Sequence, residues 1–119
     1  MAEHNELGKL GEDLAVEFLQ NNGYTILETN WTFQKAEIDI IAQIEDTLAI
    51  VEVKTRSSVE LGLPQDFVNS KKIKLLTKAV DNYVVEKKLD INVRFDIIAI
   101  HKGNKSFIIE HLTDAFYHF

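Results

Sequence analysis

Residues 36–56 read AEIDIIAQIEDTLAIVEVKTR. Two runs rich in β-forming residues, Ala36–Gln43 and Thr47–Thr55, flank Glu45-Asp46 and predict a hairpin. With Glu45-Asp46 as a two-residue turn, Ile44 faces Thr47. Counting back from there sets Asp39 opposite Glu52, and Glu37 opposite Lys54. Strand side chains alternate between faces, so Glu37, Asp39 and Ile41 share one side, as do Leu48, Ile50, Glu52 and Lys54. Ile41, Leu48 and Ile50 indicate that this side is covered along part of its length. Two carboxylates opposed on a half-buried sheet repel and lose hydration, so a positive charge is needed between them. Lys54 is one candidate and a divalent cation is the other. Asp and Glu oxygens with no His or Cys nearby suit a hard ion, Mg2+ or Mn2+. The bland alternative is a salt-bridged hairpin in which Glu37, Asp39, Glu52 and Lys54 pair on a solvent-facing side.

Working outward, Leu7, Leu10, Leu14 and Phe18 recur at helical spacing, predicting a helix over Glu6–Asn21 that ends at Gly23. Glu6, Asp13, Glu17 and Gln20 form its polar face. Glu12 falls instead beside Ala15 and Leu19, which leans it toward the protein; it could approach the carboxylate pair if the helix packs on that face of the sheet. A strand is expected over Tyr24–Asn30 and a loop over SSVELGLPQD. A long helix follows over Asp66–Lys87, with the stripe Val68, Leu75, Leu76, Ala79, Val80, Tyr83 and Val84. The strands Val93–Ile100 and Ser106–Leu112 complete the chain, and the aromatic tail TDAFYHF is suited to dock on the body. The fold class is α/β, a mixed central β-sheet flanked by α-helices in the order α-β-β-β-α-β-β. The helical crossover requires some parallel pairing.

At 119 residues the chain suits a single domain. It has no cysteine, compatible with a reducing cytoplasm. The acidic start lacks the pattern of a secretory signal, and no apolar run approaches the roughly 18 residues that span a membrane. A soluble cytoplasmic protein is the expectation. The net charge of −6 argues against a dedicated duplex binder. The charge is unevenly spread, however. Residues 1–53 carry eleven acids against Lys9 and Lys35, whereas residues 54–88 carry eight bases against four acids. That basic segment is either a solvated helix face or a surface for phosphate.

Asp39 followed by Glu52-Val53-Lys54 on the next strand resembles the signature of the PD-(D/E)xK nuclease superfamily, the restriction-endonuclease-like fold. More closely, the chain is similar to the YraN-like family of small bacterial predicted endonucleases, related to archaeal Holliday-junction resolvases. The likeness runs through GKLGEDLAVEFLQNNGYTILETN, EIDIIA, VEVKTR, GLP, SKKIKLLTKA and RFDIIAI in order. It implies that Asp39 and Glu52 are metal ligands, that Lys54 is the catalytic lysine and that Glu12 is an accessory acid. Ala36 stands where the family usually has Gly, and Ile38 where the superfamily has Pro; every charged position is intact.

Other residues have a bland use beside the functional one. Glu37 could orient Lys54 or simply pair with it. Arg56, Gln65 and Lys71 could reach a nucleic acid, or lie on the surface. Asp96, between Phe95 and Ile97, is read as a structural group that bonds backbone. His4, His101, His111 and His118 lack ligand-like spacing and are read as surface or tail residues. Trp31 and Phe33 could stack on a base, although packing is the commoner fate. Three functions compete: a metal-dependent endonuclease acting on DNA, branched DNA included; a non-catalytic nucleic-acid-binding module; and a protein whose carboxylates serve stability alone. Acting on two strands would favour a homodimer, though no element requires one.

Overall fold

The computed structural model describes residues 2–56, 70–103 and 105–115. They form α1 (Ala2–Asn21), β1 (Thr25–Phe33), β2 (Ala36–Ile44), β3 (Thr47–Arg56), α2 (Ser70–Glu86), β4 (Asn92–Lys102) and β5 (Phe107–Leu112). The five strands make one sheet in the order β1-β2-β3-β4-β5. Pairing is antiparallel throughout except between β3 and β4, which run parallel from Thr47↔Asn92 to Arg56↔His101. The mixed α/β architecture and its element order therefore match the sequence reading. So does the hairpin register: Ile44 pairs with Thr47 and Ile41 with Ile50.

Two apolar layers sandwich the sheet. On one side Ile41, Leu48, Ile50 and Ile97 pack against Leu76, Ala79, Val80 and Tyr83 of α2. On the other, Ile40, Ala42, Ala49, Val51, Ile98 and Ile100 pack against Ala15 and Leu19 of α1. Ile40, Ile41, Leu48, Ile97 and Ile98 are fully buried. Each such side chain contributes roughly 1.5–3 kcal/mol, enough to specify the register strongly.

The buried line of α1 differs from the expected stripe. Leu10 is 42% exposed, and the helix rests on the sheet through Gly11, Ala15 and Leu19. The reason is close approach. A Cβ on Gly11 would lie 1.8 Å from Thr55 Oγ1 and 2.9 Å from Thr55 Cβ. Only glycine lets the helix come this near to β3, so Gly11 and Ala15 lie against the sheet with Leu19 while Leu10 turns outward. The helix ends as expected, with Gly23 at φ +90 and Tyr24 N bonded to Leu19 O at 3.0 Å.

β1 runs three residues beyond the predicted Asn30. Asn30 takes φ 51, a left-handed conformation that asparagine tolerates, so the strand bends there without ending. Trp31 then packs edge-on against Tyr83 at 5.2 Å and stacks with Phe33, so both serve the α2-side layer. The strict alternation expected of β2 also fails across this bend. Ala36 and Ile38 join the same layer as Ile41, while Ile40 joins the other. The predicted start of the long helix, 66–69, lies outside the described residues. Of the tail, Ala115 docks by donating its N–H to Phe95 O at 2.7 Å. No described helix is long and apolar enough to cross a membrane.

Candidate functional site

The β2–β3 ladder stops at Ile40↔Val51, one pair short of the two carboxylates. Beyond it β2 stays with β1 as far as Ala36, and β3 stays with β4 as far as Arg56. The strands part, and the Asp39 side chain fills the gap: Val53 N donates to Asp39 Oδ2 at 2.8 Å. A carboxylate thus takes the place of the missing backbone acceptor, and the bond aims it between the two strands.

A cavity of about 350 Å3 opens at this gap. Asp39 and Glu52 line it together, with Lys72 of α2 beside them and Leu75 and Leu76 as an apolar wall. Lys35 and Glu37, both exposed, stand at its rim. Glu52 is only 8% exposed. Its Oε1 meets Lys54 Nζ at 3.4 Å and Lys72 Nζ at 2.5 Å.

The electrostatics of Asp39 follow from this geometry. Burial, then the Glu52 charge, then that of Glu12 push its carboxyl up to about 7; the Val53 hydrogen bond and Lys54 oppose them. Near neutral pH it therefore hovers between its two forms. Glu12 belongs to this neighbourhood although it comes from α1, on the other side of the sheet. It is half-buried while Asp13 and Glu17 are exposed, and its field reaches Asp39 through the gap. The Gly11–Thr55 contact brings α1 close enough for this.

Of the expected site residues, Asp39 and Glu52 line the cavity; Lys54 lies on Glu52, and Glu12 acts on Asp39 through its charge, neither of them lining the cavity. The structure does not pair Glu37 with Lys54, because the strands have separated before those positions; Lys54 lies on Glu52 instead. Arg56 ends β3, half-buried and level with His101 of β4. Lys71 is exposed on α2, and Gln65 lies outside the described residues.

Lys72 was missed by sequence reasoning. Its signal is an interruption: position 72 lies four after Val68 and four before Leu76, where the α2 stripe calls for an apolar residue. A lysine there points inward and needs an anion. His111, expected at the surface, is a second omission. Its Nε2 lies 2.8 Å from Asp96 Oδ2, with Phe18 and Tyr24 rings about it. Asp96 is fully buried; it accepts from Arg94 through both oxygens and from Asp114 N. These partners hold its carboxyl below the usual range against the cost of burial. This cluster lies on the α1 side and away from the cavity, so the structural role read for Asp96 stands, with side chains added to the backbone bond.

The donors at the cavity are oxygens only. Among the described residues no three acidic or imidazole groups are grouped to hold an ion by themselves. That set still fits Mg2+ or Mn2+, which is commonly bound through one or two carboxylates and completed by water and substrate phosphate. The Asp39 carboxyl, raised first by burial and then by the charges of Glu52 and Glu12, would be favoured in its charged form by a cation beside it.

The model of the uncharacterised protein family UPF0102 matches residues 11–100, which include Glu12, Asp39, Glu52, Lys54 and Lys72. A UPF0102 protein of Flavobacterium psychrophilum is 70% identical over 119 residues, spanning all of both chains. One from Flavobacterium johnsoniae is 64% identical over 123 residues, again spanning both. A UPF0102 protein of Bacteroides thetaiotaomicron is 47% identical over 117 residues, 98% of this chain and 97% of its own.

Proposed function

This chain belongs to the uncharacterised protein family UPF0102, and on that premise we propose that it is a divalent-metal-dependent endonuclease hydrolysing phosphodiester bonds in DNA, branched or structured DNA included. The observation that carries the reading is Asp39. Its carboxylate is placed in a break of the ladder, beside Glu52 and within the field of Glu12, where it weakens the metal-free fold. A purely structural hairpin would gain by replacing it. The PD-(D/E)xK resemblance, and through it the likeness to archaeal Holliday-junction resolvases, points to the same chemistry.

Asp39 and Glu52 would hold Mg2+ or Mn2+ at the cavity. Such an ion supplies Lewis acidity toward a phosphoryl oxygen and lowers the pKa of water. Lys54 is fixed by β3 two residues beyond Glu52, where its ammonium can hold the attacking water or offset charge developing on phosphate. Glu12 adds a further carboxylate from the opposite side of the gap. Lys71, Lys74 and Lys78 are exposed along α2, three and four residues apart, and give the DNA backbone a basic track despite the net acidity. Arg56 and Gln65 are proposed as further phosphate contacts. A cytoplasmic location and action as a homodimer on two strands complete the reading.

The exposed basic track of α2, which needs no chemistry to hold a phosphate backbone, favours one rival, a non-catalytic nucleic-acid-binding module. A labelled panel of single-stranded, duplex, flapped and four-way-junction DNA separates the two. Magnesium-dependent cleavage that Asp39→Asn abolishes supports the nuclease. Binding without cleavage under any metal supports the module.

A further inference from the structure

Two ammonium groups from two different elements hold Glu52, and they are not equivalent. Lys54 is carried on the same strand, 3.4 Å from Oε1. Lys72 reaches across the cavity from α2 and lies at 2.5 Å. The Glu52 side chain is 9% exposed, whereas that of Lys72 is 34% exposed. The carboxylate is thus fixed, and the lysine has a flexible stem with room to move. Its ammonium stands in the same cavity as Asp39, bound to an oxygen that a metal ion would use.

We propose that Lys72 is an internal counter-ion that competes with the divalent ion for Glu52, and that a phosphodiester entering the cavity draws Lys72 off the carboxylate. The proposal rests on the nuclease reading and adds to it a coupling between substrate and metal. An ammonium and a divalent ion repel each other at one carboxylate oxygen, so loading the metal requires Lys72 to leave. Once it has left, a substrate phosphate in the same cavity can receive it through a charge-assisted hydrogen bond. Whatever a phosphodiester does for metal affinity, the metal does equally for phosphodiester affinity. The arrangement disfavours metal uptake by the empty cavity and favours it in the loaded one. Lys72 would then be a positioning residue, and Lys54 the one that meets the reacting atoms.

The test is calorimetric titration of Mn2+ into the full chain, with and without dimethyl phosphate as the diester probe. Lys72→Met should bind Mn2+ about fivefold more tightly than wild type, equivalent to about 1 kcal/mol for a partly exposed ion pair. It should also lose the gain in Mn2+ affinity that dimethyl phosphate gives the wild type. Lys72→Arg, which keeps the charge, should behave as wild type on both counts. Lys72→Gln reads the same way should Lys72→Met fail to fold. Lys72→Met binding Mn2+ no better than wild type overturns the proposal and leaves the nuclease reading standing. Coupling to dimethyl phosphate that survives in Lys72→Met overturns the hand-over to phosphate. A wild-type protein that binds no Mn2+ either with or without dimethyl phosphate overturns both readings.

Discussion

Replacing Asp39 by asparagine removes one charge and keeps the shape, including an oxygen that can still accept from Val53 N. In the metal-free fold this carboxyl is raised from 3.8 to about 7. The folded chain therefore binds the proton more tightly than the unfolded chain does. The Asp39 contribution to stability is most favourable below about pH 4, falls as pH rises toward about 7, and is level above that. At about 1.4 kcal/mol per tenfold in proton affinity, the whole change corresponds to about 4 kcal/mol. Relaxation of the opened strands and screening by salt reduce it, and about 2 kcal/mol is the expected difference at pH 8. Asp39→Asn should thus match wild type near pH 4 and exceed it by that amount at pH 8, both in chelator. Urea unfolding read by the single tryptophan, Trp31, which packs on Tyr83, follows the transition directly. Added Mn2+ at a hundredfold excess over its dissociation constant should stabilise the wild type by about 2.7 kcal/mol at pH 8 and should not stabilise the variant. Below pH 7 the proton competes, and the wild-type gain should shrink. If Asp39→Asn destabilises the metal-free protein at pH 8, or leaves the slope between pH 5 and 7 unchanged, the carboxylate is a structural partner and the reasoning fails.

Three further outcomes are expected. Lys54→Ala should keep Mn2+ binding in calorimetry, lower metal-free stability by about 0.5–1 kcal/mol through the lost partner of Glu52, and cut cleavage about 100-fold or more. Gly11→Ala should destabilise by about 1–2 kcal/mol in urea melts, because overpacking against Thr55 outweighs the better helix propensity of alanine; Thr55→Ala should partly restore it. Asp96→Ala should cost about 3 kcal/mol by leaving the half-buried Arg94 and His111 without the carboxylate beside them. Because the Asp96 carboxyl is held below its ordinary value, its stabilisation is present above about pH 4 and lost on acidification, the opposite slope to that of Asp39, which pH-dependent melts of the Asp96 variant will show.

The hairpin was legible because every constraint on it is local. A two-residue turn, a period of two and fully buried isoleucines leave one register, and Ile41↔Ile50 is the result. The half-burial of Glu12 was legible by angle, since it falls beside Ala15 and Leu19, but the face on which α1 packs, opposite that of α2, was not. The other features depend on partners far apart in the chain. Lys72 meets Glu52 twenty residues away, and only the break in its apolar stripe hinted at it. His111 meets Asp96 fifteen residues away across a strand pair, and an isolated histidine carries no spacing signal. The early end of the β2–β3 ladder was hidden for a different reason. It depends on β2 following β1 past Asn30 while β3 follows β4, a competition between neighbours that no single hairpin encodes. The α1 stripe was legible in part: Leu14 and Phe18 pack against the core, but close approach at Gly11 brings Gly11, Ala15 and Leu19 to the centre and turns Leu10 outward.

The central question is whether Asp39 and Glu52 share a cation. A crystal of the protein grown with Mn2+ and measured near the manganese absorption edge answers this. An anomalous peak bonded to oxygens of both Asp39 and Glu52, with Lys72 withdrawn from Glu52, is the predicted result. A cavity with no such peak at saturating Mn2+, and Lys72 still on Glu52, would contradict it.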